Sequence, residues 1–115
     1  MQTQTQLPSF EAAMPLGSKD QAFIDEVRQV LEKHGNENRF GLCLLHEHFP
    51  MNDDEILMET HDKDSRTITI APQKRTELGT FKPTMWNLSQ YEVLQGGADA
   101  KSPKVLLGCK QDKCK

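Results

Sequence analysis

A length of 115 residues and a net charge of −3 fit one small domain. Only 36% of the residues are apolar, fewer than the roughly 45–50% of typical globular domains, so part of the chain is expected to lie outside a packed core. No run approaches the roughly 18 apolar residues of a membrane helix, and three cysteines are too few for a disulfide scaffold. Since residues 1–6 also lack the charged and apolar regions of a signal peptide, we expect a soluble, cytoplasmic protein.

The charge is unevenly distributed along the chain. Acidic residues are concentrated in residues 1–62 and basic residues in residues 63–115. Such an asymmetry can favour head-to-tail association or an anionic ligand; the alternative is a solvated surface whose charges happen to be segregated. The basic residues are scattered and accompanied by one Trp and one Tyr, so the composition does not support nucleic-acid binding.

Residues 1–17 are polar, contain two prolines, and are predicted to be a flexible N-terminal segment. An amphipathic helix is expected to follow, because Ile24, Val27 and Leu31 recur at helical spacing. Ser18 and Gln21 fit a capping box at its start, and Gly35 is a typical C-terminal stop.

Three strand candidates follow the helix: residues 40–49, 55–62 and 66–71. If Phe49 faces Glu55 and Asp62 faces Arg66 across the two turns, one face of the sheet collects most of the apolar side chains. That face would hold Leu42, Leu44, His46, His48, Ile56, Met58, Ile68 and Ile70. A slip of one residue in the second hairpin would move Ile68 and Ile70 to the opposite face.

The remainder of the sequence gives weaker signals. Residues 80–88 could form a further strand, which Pro83 would restrict to an edge position. Residues 96–103 have the composition of a linker, and residues 105–107 could add a last short strand. The predicted fold is α+β: one amphipathic helix packed on a small antiparallel sheet, a meander of three to five strands. Its domain spans residues 18–95, after a flexible segment at 1–17 and before a flexible linker and cysteine-containing tail at 96–115.

The His-x-His pair at the end of the first predicted strand is the main candidate for chemistry. On a strand, His46 and His48 would share a face, and two neutral imidazoles on one face can bind a single metal ion. Further ligands could come from His61, from a nearby carboxylate, or from Cys109 and Cys114. A Cys₂His₂ set would favour zinc, whereas histidine with carboxylate leaves iron, manganese or zinc open. The alternative is a pair of half-buried histidines at the rim of the core.

Two other interpretations remain open at this stage. Glu47, Glu59 and His61, with Cys43 opposite His61, could do acid–base or thiolate chemistry, or could be ordinary sheet residues. The whole domain could also be a non-catalytic module that holds another protein through its charge asymmetry or through a sheet edge. The sequence predicts a transition-metal site, with zinc the first choice, and the interaction module as the alternative.

Overall fold

The computed structural model of the protein describes residues 7–93 and 101–110. It contains one α-helix, α1 (Gln21–Lys33), and four strands, β1 (Glu55–Asp62), β2 (Thr67–Lys74), β3 (Phe81–Val93) and β4 (Lys101–Lys110). Two short 3₁₀ helices lie at Ser18–Asp20 and Arg75–Glu77. The predicted α+β class is therefore confirmed. The chain divides into two compact units, Met1–Phe49 and Pro50–Lys115, which are described separately.

In the first unit, α1 begins and ends close to its predicted limits. At the start of the 3₁₀ helix that leads into α1, the backbone N–H of Gly17 donates to the carboxylate of Asp20 at 3.0 Å, so this pair takes the capping role predicted for Ser18 and Gln21. At its end Gly35 adopts a φ of 71°, and its N–H donates to the carbonyl of Glu32. The N–H of Asn36 donates to the carbonyl of Leu31 at 2.7 Å, which completes a Schellman motif.

The segment 40–49, predicted to be the first strand of the sheet, is not a strand. It makes one isolated parallel bridge, between Glu47 and Ser9. Several of its apolar side chains are exposed, including Leu42 at 54% and Leu44 at 47%. An alternating apolar pattern predicts burial only where another surface covers one face, and tertiary packing decides whether that surface exists.

The second unit contains a four-stranded sheet with the strand order β2-β1-β4-β3. β1 pairs with β2, and β3 with β4, in the antiparallel sense, but β1 and β4 run parallel. The sheet is therefore mixed rather than the purely antiparallel meander that was predicted. Residues 101–110, assigned from the sequence to a flexible linker and tail, form β4, one of the two inner strands of the sheet; residues 96–100 and 111–115 lie outside the described residues.

The hairpin of β1 and β2 has a register that differs by one residue from the predicted one. Asp62 lies opposite Thr67, and His61 lies opposite Ile68. The connecting loop is one residue longer than predicted because Arg66 adopts a left-handed φ of 58°. The carboxylate of Asp62 accepts the N–H of Asp64 at 3.0 Å and stabilises this loop as an Asx turn.

The core of the sheet lies on one face of β1. Ile56 and Met58 are 1% and 2% exposed and form a cluster with Val105 of β4. The half-buried side chains of Leu78, Phe81 and Trp86 pack against this cluster. β1 is therefore covered on one face and paired on both edges.

Two local features hold β4 in place between β1 and β3. The ring of Phe81 lies over Gly108, where a Cβ atom would be 2.5 Å from the nearest ring carbon, so only glycine fits without rearrangement. The carboxylate of Glu92 accepts the N–H of Val105 at 3.2 Å and forms an ion pair with Arg75 at 2.9 Å. This carboxylate therefore joins the second 3₁₀ helix, β3 and β4.

Among the described residues no helix is long and apolar enough to cross a membrane.

Candidate functional site

His46 and His48 lie side by side although their segment is not a strand. Their ring centroids are 4.8 Å apart with the planes inclined at 78°. Nδ1 of His46 lies 2.8 Å from the carbonyl oxygen of Leu44. Since a carbonyl can only accept, this contact requires the proton on Nδ1 and leaves the lone pair on Nε2. A backbone carbonyl in this position is a common orienting partner of metal-binding histidines.

Residues 8–10, at the beginning of the described chain, contact the segment that carries the histidine pair. The N–H of Glu47 donates to the carbonyl of Pro8 at 2.8 Å, which fixes the segment beside residues 8–10. The ring of Phe10 then contacts the ring of His46 edge-on, with centroids 5.5 Å apart. His46 is half-buried and His48 is exposed, so one imidazole is oriented by its neighbours and the other is open to solvent.

The remaining predicted metal ligands lie in the second unit or outside the described residues. His61 is half-buried in β1, and its Nε2 atom has no hydrogen-bond partner among the described residues. Cys109 is buried and disulfide-bonded, and Cys114 lies outside the described residues. Because a thiolate is the ligand form of cysteine, Cys109 could bind a metal only after reduction.

No group of three or more His, Cys, Asp or Glu side chains suited to a metal ion occurs in the described ranges 7–93 and 101–110. The strand pairing that was predicted to place Cys43 opposite His61 does not occur, because residues 40–49 form no strand and the neighbours of β1 are β2 and β4. The thiol of Cys43 is exposed and lies 3.9 Å from the carbonyl oxygen of Leu44.

A second candidate site is the outer edge of β2, which sequence reasoning had placed in the core. Residues 67–72 are exposed without interruption. Ile68 is 59% exposed and Ile70 is 46% exposed, because the one-residue change in register moves both away from the face that holds Ile56 and Met58. Most strands are covered on at least one face, so a strand exposed on both faces and along one edge is unusual.

The backbone of β2 presents its hydrogen-bonding groups to this free edge in a definable pattern. The N–H of Arg75 donates to the carbonyl of Asp54 at 2.7 Å, which continues the register of the hairpin. Since hydrogen-bonded pairs alternate along an antiparallel ladder, the odd-numbered residues of β2 bond to β1. Ile68 and Ile70 therefore direct their N–H and C=O groups outward. Pro72, which has no N–H, also falls on the outward set, as expected for an edge strand.

β3 forms the opposite edge of the sheet, and its pairing is less regular than that of β2. The pairing of β3 with β4 shifts its register at three places, between Pro83 and Met85, Met85 and Trp86, and Asn87 and Tyr91. Bulges and proline are common protections of a sheet edge against further pairing. β2 pairs in one continuous register with β1, and its residues 67–71 have no bulge or proline. Pro83 was the sequence signal for the β3 edge, and Pro72 is a comparable signal for the β2 edge that the sequence analysis did not use.

Comparison of the chain with protein-family models, curated proteins and solved structures found no match.

Proposed function

We propose that this protein is a non-catalytic interaction module that holds a protein partner along the outer edge of β2. The observation that carries this proposal is the continuous exposure of residues 67–72 on both faces of a regular edge strand. A partner strand added there would satisfy the outward backbone groups of Ile68 and Ile70 and cover their side chains. This mode of recognition, in which main-chain bonds give affinity and alternate side chains give specificity, is β-augmentation.

The small core supports the same proposal. Four apolar side chains of the described residues are buried, those of Ile56, Met58, Val105 and Cys109. Of the thirteen large apolar side chains that are exposed among the described residues, Ile68 and Ile70 lie next to each other on one face of β2. Adjacent exposed apolar side chains are a feature of interaction sites in many proteins. A cytoplasmic location remains a prediction from the sequence.

A photoactivatable residue in place of Thr69, at the middle of the edge, would test the proposal. After irradiation of the full-length chain in extracts of cells that express it, we expect a covalent protein adduct that mass spectrometry detects. Ile68→Lys with Ile70→Lys should abolish the adduct, because charges on an edge strand oppose pairing. The matched control is Leu88→Lys with Tyr91→Lys on β3, two positions that are 71% and 66% exposed.

The outcomes separate clearly. Loss of the adduct in the β2 variant and its retention in the β3 variant would support the edge as the interaction site. No adduct at residue 69, or an adduct that both variants reduce equally, would overturn the proposal. Because the substituted side chains are exposed, each variant should retain the thermal stability of the natural chain to within a few degrees.

A transition-metal site at His46 and His48 is the second candidate, and zinc is the preferred ion. It is favoured by the 4.8 Å separation of the two rings and by the contact of His46 Nδ1 with Leu44. The pair supplies two nitrogen ligands, and water or a carboxylate would fill the other positions, so we expect modest affinity.

Calorimetric titration of the chain with zinc ions alone would test this candidate. One binding event is expected, and His46→Ala with His48→Ala should remove it. His34→Ala is the control, since His34 is exposed at the end of α1. Binding that survives the double substitution, or no binding by the natural chain, would reject the histidine site.

A further inference from the structure

We infer that the strand which occupies the β2 edge comes from a second copy of this chain, paired antiparallel about a two-fold axis at Thr69. This inference rests on the proposed function, because it names the partner for the same edge. Two copies joined in this way would form one continuous sheet of eight strands, with the two β2 strands at its centre. Such a contact is isologous: the same residues contribute on both sides.

The backbone pattern of β2 selects this register. The outward-facing residues are Ile68, Ile70 and Pro72, and a two-fold axis at Thr69 places Ile68 of one copy opposite Ile70 of the other. An axis at Ile70 would instead place Ile68 opposite Pro72, which has no N–H to donate. An axis at Ile68 would place Ile70 opposite Arg66, whose φ of 58° interrupts regular pairing. With the axis at Thr69 both hydrogen-bonded pairs are complete, and Thr69 lies opposite its own counterpart. Pro72, which has no N–H to donate, falls opposite Arg66 at the end of the strand, where the left-handed φ of 58° has already ended regular pairing.

The side chains in this register match on both faces. The two isoleucines of each copy would form one apolar cluster of four on one face. In the single chain Ile68 is 59% exposed and Ile70 is 46% exposed. On the other face, Thr69 would meet Thr69 of the second copy, a cross-strand pair that contributes favourably in antiparallel sheets. No side chain between residues 67 and 73 is charged, so nothing in the contact opposes self-pairing through like charges.

The charges at the two ends of β2 do not select the direction of pairing. In the register centred on Thr69, Asp64 of one copy falls near Lys74 of the other, which is favourable, but Lys63 falls near Arg75, which is not. Ion pairs at exposed positions contribute little in either sense. The antiparallel direction therefore follows from the two-fold symmetry and from the backbone pattern of β2.

The contact is limited to about one strand per copy, which places it among small interfaces of less than about 1,200 Å². We therefore expect a reversible dimer that dissociates on dilution. Sedimentation of the full chain from low micromolar to millimolar concentration should show the mass rising from 13.1 kDa towards twice that value. Ile68→Lys with Ile70→Lys should remain monomeric, and Leu88→Lys with Tyr91→Lys should associate as the natural chain does.

Disulfide trapping would test the register itself. In a background of Cys43→Ser, which removes the exposed free thiol, Thr69→Cys should form a cross-linked dimer under mild oxidation without reductant. Opposed residues of this non-hydrogen-bonded type lie about 4.5 Å apart at Cα, within disulfide range. Thr67→Cys alone should not cross-link, whereas a mixture of Thr67→Cys and Ala71→Cys should, because these positions face each other.

The outcomes distinguish this inference from the proposed function. Cross-linking of Thr67→Cys to itself would overturn the antiparallel register, as would failure of Thr69→Cys in a chain that still dimerises. A chain that is monomeric at every concentration, yet gives a photoadduct at residue 69 with a different protein, would overturn the second copy as occupant and retain the edge. A monomer with no adduct would overturn both.

Discussion

β1 and β2 are neighbouring strands of equal length, paired with each other along all eight residues, and yet their environments are opposite. Ile56 of β1 is 1% exposed, whereas Ile68 of β2 is 59% exposed. β1 has β4 on its other edge and the side chains of Phe81 and Trp86 packed against its core residues, whereas β2 has neither. The comparison shows that the apolar residues of a strand are buried only where a further element covers them.

We expect the largest effect on the free energy of unfolding when one isoleucine of each strand is truncated to alanine, which tests the contrast between β1 and β2. Ile56→Ala should lower the free energy of unfolding by about 2–5 kcal/mol, because it opens a cavity in the core cluster. Ile68→Ala should change it by less than about 0.5 kcal/mol, because the side chain is solvated in the single chain. Urea denaturation of dilute protein, followed by the fluorescence of Trp86, would measure both. Equal losses would show that β2 is buried in solution.

The next largest effect on stability is expected in β4, the strand that pairs with the second edge of β1. Gly108→Ala should lower the free energy of unfolding by about 1–3 kcal/mol, since the added methyl group forces the Phe81 ring away from the strand. Gly79→Ala is the control, because no atom lies within 4 Å of the Cβ position there. Thermal unfolding followed by circular dichroism would compare the two; an unchanged Gly108→Ala protein would contradict the close contact.

A smaller effect is expected at the carboxylate that fastens β3 to β4. Glu92→Ala should lower the free energy of unfolding by about 1 kcal/mol, because the N–H of Val105 loses its acceptor. Arg75→Ala removes only the half-exposed ion pair and should cost less than about 0.5 kcal/mol. Chemical denaturation of both variants would measure the difference. If Arg75→Ala were the more costly, the ion pair and not the hydrogen bond would be the main contribution.

The smallest effect on stability is expected from substitutions in the loop that sets the register between β1 and β2. Arg66→Gly should raise the free energy of unfolding by about 0.5 kcal/mol, because glycine adopts the left-handed conformation without the steric cost of a Cβ atom. Lys63→Gly, in the same loop but without a positive φ, should lower it slightly through added chain entropy. A loss in the Arg66→Gly protein equal to that of Lys63→Gly would contradict the left-handed turn.

The one-residue difference in the hairpin explains why the sequence analysis placed Ile68 and Ile70 in the core. The alternation of residues 66–71 predicts that these two side chains share a face, and they do. It does not predict which face, because that depends on the loop, and the loop gained a residue when Arg66 adopted a positive φ. Arginine carries no sequence signal for that conformation, unlike glycine or asparagine.

The candidate sites were predicted to different extents. The adjacency of His46 and His48 was predicted from their spacing, and their rings are in contact, although the strand expected to carry them is absent. Metal binding at these residues stays a prediction. The sequence analysis proposed a sheet edge as an interaction site but did not identify β2 as the edge strand. The position of a strand within a sheet depends on which other strands pair with it.

The sequence by itself determined the α+β class, the helix with its glycine stop, and the strands β1 and β2, because local spacing, capping and turn composition act over a few residues. The tertiary structure alone decided that β4 pairs in parallel with β1, through residues 107–109, and that residues 40–49 form no strand of the sheet. It also decided that β2 is an open edge. These outcomes depend on contacts between residues far apart in the chain, whose energies outweigh local preference.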